Sequence, residues 1–245
     1  MFRRSQARER SAPPPFKGGV HVQRALRRLI PRTFVVFFSF CACLAYSGGA
    51  YGATAVVVIH GGGWWTGSAA DVQPVCDALP EFDCYSPSYT LSMTAPFPAA
   101  NVDLRAYVAE LRLHGYDRVL AVGLSAGGNL AAWLAARGYV DGAVTWSAPS
   151  DLRVFDWWRR TPGWVVHRFA PNRSFRRSAS PAWHGVDVPI LIIHSRREWM
   201  PLDQARRLRA ASPLGRLVVL DGGDHAMGYF DRAMPLTRRW LVANA

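Results

Sequence analysis

From Thr54 onward, short apolar runs alternate with stretches in which apolar residues recur every three or four positions. The run AVVVI at 55–59 is continuous and β-branched, the pattern of a strand buried on both faces of a parallel sheet. Further strands are predicted at 83–86, 118–123, 142–147, 189–194 and 216–220, and helices at 71–79, 98–114, 128–137, 202–211 and about 230–242. In the helix over 98–114, Val102, Leu104, Tyr107, Val108 and Leu111 form the apolar stripe. Such alternation predicts an α/β fold: a doubly wound, mostly parallel sheet flanked by helices, with ligands taken at the carboxyl ends of the strands. The sheet begins almost where the preceding apolar leader ends, so the fold is expected to be reduced at its N-terminus.

One segment breaks the rhythm. Residues 151–178 are rich in aromatics (Phe155, Trp157, Trp158, Trp164, Phe169) and carry seven arginines against two aspartates. Lying between two strands, they read as a small cap insertion over the strand ends.

At 245 residues, 50% of them hydrophobic, the chain can bury one good core, and a single domain over 54–245 is expected. The net charge of +12 is unevenly spread: residues 1–32 hold nine basic groups against one acid, which leaves only +4 for everything after. A body so mildly basic argues against nucleic-acid binding. The basic stretch precedes the apolar run TFVVFFSFCACLAY at 33–46 and the small residues SGGAYGA, the three parts of an export signal. Residues 1–53 are therefore expected to direct the protein out of the cytoplasm, to the periplasm or medium. The alternative is an uncleaved anchor over 33–50 that holds it at a membrane, although the run is short of the roughly 20 apolar residues a span needs. Export would leave Cys76 and Cys84 in an oxidising compartment, where a short-loop disulfide and two buried thiols are both open readings.

The chemistry concentrates at predicted strand ends. Gly123, Leu124, Ser125, Ala126 and Gly127 form GxSxG between a strand and a helix. A serine there sits on a tight turn, flanked by small residues that let backbone pass close by, and its hydroxyl is presented to a base. Ser125 is the candidate nucleophile. The base is His225, in the loop GGDH after the strand LVVLD, which suits the chain order serine, acid, histidine. The orienting acid is Glu198, in the loop after the 189–194 strand; Asp203 is the alternative, although its place suits capping of the next helix. Asp224 adjoins His225, and adjacent side chains usually point apart. The glycines after AVVVI leave backbone amides free, so Gly62 and Gly63, with the amide of Ala126, are expected to form an oxyanion hole. Trp64 and Trp65 are expected to line the substrate pocket. No metal or other cofactor is called for.

These pieces, HGGGW at 60–64, SYTLSMTAPFPAA at 88–100, GLSAGGNLA at 123–131, SAPSDL at 147–152, SPAW at 180–183 and GGDHAM at 222–227, occur in one order over nearly the whole body. In them the chain resembles the α/β-hydrolase superfamily, and within it the carboxylesterases of the hormone-sensitive-lipase and feruloyl-esterase-like type. The resemblance implies catalytic Ser125 and His225, an oxyanion hole at Gly62, Gly63 and Ala126, and a small-molecule ester as substrate. The family's HGxxDxxVP reads here as HSRREWMP, with glutamate for aspartate and one residue fewer before the proline. The expected activity is thus a serine esterase acting through an acyl-enzyme. The other readings are a peptidase or amidase on the same triad, and a catalytically silent binding protein that retains the fold.

Overall fold

The computed structural model describes residues 53–154 and 163–245. The export or anchor segment, and Phe155, Trp157 and Trp158 of the expected cap, lie outside them. Six strands are present among the described residues: β1 Thr54–Ile59, β2 Asp83–Tyr85, β3 Arg118–Leu124, β4 Gly142–Trp146, β5 Ile190–Ser195 and β6 Gly215–Leu220. They form one sheet in the order β2-β1-β3-β4-β5-β6, and every pairing is parallel. The helices are α1 Gln73–Asp77, α2 Ala99–Leu113, α3 Ala126–Ala136, α4 Gly163–Phe169, α5 Arg173–Ser178, α6 Pro181–His184, α7 Leu202–Ala210 and α8 Phe230–Asn244.

The continuous apolar strands are buried on both faces. Ala55, Val57 and Ile59 of β1 belong to one apolar layer with Leu104 and Val108 of α2, Leu130 and Leu134 of α3 and, across the sheet, Leu208 of α7. Val56 and Val58 face the other way, into a layer with Val75, Leu79, Tyr229 and Leu241. Alternate residues of one strand thus anchor two helical layers, which is why a run with no polar alternation is the right sequence for this position. The chain leaves β1 toward β2 on one side and returns to β3 on the other, so the switch point of the sheet lies between β1 and β3. The loops after these two strands carry HGGGW and GLSAG.

Helix and strand boundaries differ from expectation mainly where the chain turns tightly. The helix expected at 71–79 is a 3-10 turn, Ala69–Val72, followed by α1, with a proline in the first turn of α1. Helix α3 starts at Ala126 rather than 128, because the turn at Ser125 is a single residue deep. The described part of the 151–178 insertion forms two short helices, α4 and α5. Val166 and Phe169 of α4 are buried in the core, and Phe169 stacks flat on Trp64 with ring centroids 4.4 Å apart. Cys76 and Cys84 form a disulfide, with Cα atoms 5.4 Å apart, tying α1 to β2. Of the two readings open for these cysteines, the structure has the bonded one.

Glycines on either side of Ser125 are required by contact. A Cβ on Gly127 would lie 2.1 Å from the carbonyl oxygen of Ile59 and 2.4 Å from that of His60, and one on Gly123 would lie 2.1 Å from the carbonyl oxygen of Gly127. These neighbours are backbone and cannot swing aside. Gly127→Ala should therefore lower stability by about 2–3 kcal/mol or prevent soluble folding. Gly223→Ala, where nothing lies nearer than 3.6 Å, should stay within about 0.5 kcal/mol of the parent. Urea unfolding midpoints compare the two.

Candidate active site

Ser125 sits between β3 and α3 at φ 53° and ψ −119°, a conformation that L-residues rarely adopt. The surrounding structure holds it there. Its N–H donates to the Trp146 carbonyl at 2.7 Å, and its carbonyl accepts from Asn129 N at 3.2 Å. Asn129 in turn donates through Nδ2 to the carbonyls of Pro149 and Ala179, at 2.9 and 3.0 Å, fastening the start of α3 to two neighbouring segments. The turn aims the hydroxyl away from the sheet. Its oxygen lies 2.9 Å from Nε2 of His225.

His225 comes from the loop after β6, and Glu198 from the loop after β5, so adjacent parallel strands deliver base and acid to the same end of the sheet. Nδ1 of His225 pairs with Oε2 of Glu198. The carboxylate only accepts, so Nδ1 carries the proton and Nε2 is left to accept from the serine hydroxyl; this tautomer follows from the hydrogen-bond network. The Glu198 side chain is wholly buried. Its other oxygen accepts from Ser147 Oγ at 2.8 Å and from the Ser195 amide at 3.1 Å, and lies 3.2 Å from Nε2 of His194. A buried charge with several donors is tolerated where an unpaired one is not.

Asp203, the alternative acid, is elsewhere. It occupies the first turn of α7, is largely exposed, and accepts from Arg207 Nε at 2.6 Å. Asp224 likewise turns outward to Arg232, at 2.8 Å. The structure brings Ser125, His225 and Glu198 together and leaves both aspartates out.

After β1 the chain takes three successive positive φ values, 93° at Gly62, 62° at Gly63 and 63° at Trp64. The turn is closed by the Trp65 and Thr66 amides, which donate to the Gly62 carbonyl at 3.2 and 3.1 Å. A Cβ on Gly62 would lie 2.1 Å from the Thr66 carbonyl oxygen, so this glycine is needed for the turn itself. The amides of Gly62, Gly63 and Ala126 have no acceptor among the described residues, and all three residues border one cavity with Ser125 and His225. Free N–H groups in consecutive turn residues make a concavity suited to negative charge. His60 is structural: its ring stacks on Tyr89, centroids 4.2 Å apart, and the Tyr89 hydroxyl donates to the His60 carbonyl at 3.0 Å.

The cavity has a volume of about 550 Å³, and its walls are mostly apolar. Trp65 stands at its mouth, 37% exposed, edge-on to Trp164. Trp64 borders the cavity too, but it is 1% exposed and its ring belongs to the stack on Phe169. Several wall residues were not singled out from the sequence: Trp199, Met200, Met227 and Val165. Trp199 lies over His225, with ring centroids 4.3 Å apart. Its position beside Glu198 was the available signal. Ser147 and Tyr229 were also unanticipated, because their importance lies in what the carboxylate gathers around it; His194, which closes β5, has the buried hydrogen-bonded role its place at a strand end suggests.

Residues 56–150 match the model of a family described as alpha/beta hydrolase fold. The structure is similar to that of a hormone-sensitive lipase from a metagenome library, at 22% identity over 79% of each chain with a TM-score of 0.67. It is also similar to the HSL-homolog EstE7 from a metagenome library, at 24% identity over 80% of each chain and a TM-score of 0.66. A truncated carbohydrate esterase from gut microbiota aligns at 22% identity over 79% of this chain and 86% of that one, with a TM-score of 0.67. No curated protein sequence matches the chain. The chain has the α/β-hydrolase fold.

Burial lowers the pKa of His194 from its ordinary 6.5, against the opposing pull of Glu198, and burial lowers that of His60 as well. Each therefore binds its proton more weakly folded than unfolded. Their contribution to stability is complete above the unfolded value and is lost as pH falls from about 6.5 through the folded values. The urea midpoint should accordingly be lower at pH 5.5 than at pH 7.5, and His194→Gln should flatten that dependence.

Proposed function

We propose that the chain is a carboxylic-ester hydrolase working through an acyl-enzyme on Ser125. The observation that carries this reading is the continuous relay Ser125 Oγ, His225, Glu198, opening on a mostly apolar cavity beside three amides that have no acceptor among the described residues. Neighbours of the same fold whose names call them esterases or a lipase lend it further support.

The chemistry follows from the geometry. As Ser125 Oγ attacks the ester carbonyl carbon, its proton passes to His225 Nε2, and Glu198 stabilises the imidazolium through Nδ1–H. Charge that develops on the carbonyl oxygen is met by the N–H groups of Gly62, Gly63 and Ala126. The C–O bond to the alcohol then breaks, and His225 returns the proton to the departing oxygen. Water repeats the sequence on the acyl-serine, releasing the acid and restoring the hydroxyl.

The wall residues supply the substrate class. Trp65, Trp199, Met200, Met227, Val72 and Val165 are apolar or aromatic; among the described residues Asp71 is the one carboxylate on the cavity wall, and no lysine or arginine borders it. Uncharged esters with short or aromatic groups suit such walls. The Cys76–Cys84 disulfide supports export by residues 1–53, since thiols are kept reduced in most cytoplasms. An anchor over 33–50 would serve equally to carry the domain across.

Hydrolysis of p-nitrophenyl butyrate tests the reading. Ser125→Ala should lower kcat by at least about 10³-fold and Glu198→Gln by roughly 10²- to 10⁴-fold, while Asp203→Asn leaves it unchanged. A fluorophosphonate probe should label the wild type at Ser125 only. Equal activity in wild type and Ser125→Ala would sink the proposal.

A further inference from the structure

We infer that Ser147 is a positioning residue of this site, whose single hydroxyl sets the acid and the base relative to one another. The inference rests on the esterase reading above.

Ser147 follows β4 and is completely buried. Its φ is 53°, in the left-handed region where glycine is accommodated best, yet the position carries a serine. Every hydrogen-bonding capacity of that serine is used. Its O–H donates to Glu198 Oε1 at 2.8 Å, and its oxygen accepts from the Ala226 amide at 3.1 Å and pairs with the Tyr229 hydroxyl at 2.7 Å. Burial pushes the Tyr229 phenol pKa up, so it stays protonated and able to donate. The phenol's one proton serves Ser147, and the Ile193 carbonyl, 3.2 Å away at the end of β5, is its longer alternative acceptor.

The consequence is a closed ring. Ser147 Oγ holds Glu198 Oε1; Glu198 Oε2 holds His225 Nδ1; the residue after His225 returns its amide to Ser147 Oγ. Ala226, where the ring closes, also has a positive φ, 48°. The loops that carry acid and base touch directly through the Arg197 amide, which donates to the Gly222 carbonyl at 2.9 Å, but the backbone amide given to the carboxylate is that of Ser195 at the end of β5. Ser147, after a third strand, β4, adds a side-chain contact to both the acid and the residue after the base. A hydroxyl that merely satisfied itself would need one partner; this one joins both catalytic loops.

The experiment measures kcat and KM for p-nitrophenyl butyrate. Ser147→Gly removes the hydroxyl, and glycine accepts the backbone conformation. It should lower kcat about 30-fold with KM within twofold of wild type and a melting temperature close to it. In a Glu198→Gln background the same substitution should cost less than threefold, because the hydroxyl acts through the carboxylate. Tyr229→Phe, which keeps the ring and removes one group that orients Ser147, should lower kcat several-fold at unchanged KM, and decides the matter if Ser147→Gly does not fold. A Ser147→Gly enzyme within threefold of wild-type kcat, losses that simply multiply in the double variant, or a Tyr229→Phe enzyme of wild-type kcat overturns the inference. An inactive wild type that takes no fluorophosphonate fails the esterase reading itself, whereas an active, labelled wild type with an indifferent Ser147→Gly fails only the positioning role.

Discussion

The site depends on one close approach, that of the turn at Ser125 to the end of β1. Gly127 lies so near the carbonyls of Ile59 and His60 that a single added carbon would meet an oxygen at 2.1 Å. Because the first turn of α3 can come this close, the amide of Ala126 faces the same cavity as those of Gly62 and Gly63. The same contact drives Ser125 into its unusual backbone conformation. Strain there is of the order of 1–3 kcal/mol, and it persists because the Trp146 carbonyl and the anchored Asn129 over-determine the turn.

All four non-glycine residues with positive φ among those described, Trp64, Ser125, Ser147 and Ala226, lie in the segments that follow the carboxyl ends of strands, around this site. Flat apolar packing beneath them supplies the rigidity. The two layers on β1 and the Trp64 stack on Phe169 are dry, close-packed contacts that leave the loops little freedom to relax. The described part of the insertion after β4 belongs to this scheme: α4 contributes Val165 to the cavity wall and Phe169 to its support.

Glutamate at 198 illustrates how a buried charge is made tolerable. Its carboxylate is inaccessible to water, yet one oxygen faces His225 and the other is surrounded by Ser147, Ser195 and His194. Burial lowers the pKa of His194, whose Nε2 donates to the Met200 carbonyl at 3.0 Å and lies 3.2 Å from the carboxylate. The shortened loop is thus compensated from outside itself, by the Ser147 hydroxyl just after β4 and the Ser195 amide at the end of β5.

Much of this was legible in the chain. Continuous β-branched runs can only be buried on both faces, which specified the parallel sheet, and glycines at 123 and 127 around a serine specified the tight turn, because each follows from local sterics. His225 and Glu198 were readable from loop position and chain order. What the sequence left open were contacts that local pattern does not specify. Whether Cys76 meets Cys84, whether Glu198 or Asp203 reaches His225, and whether Trp64 belongs to the pocket or the core were decided only when the strands aligned. Ser147 was invisible as a site residue, since a serine in a loop carries no sign of its partners; its three contacts come from positions 198, 226 and 229, which the order of β4, β5 and β6 alone brings within hydrogen-bonding distance.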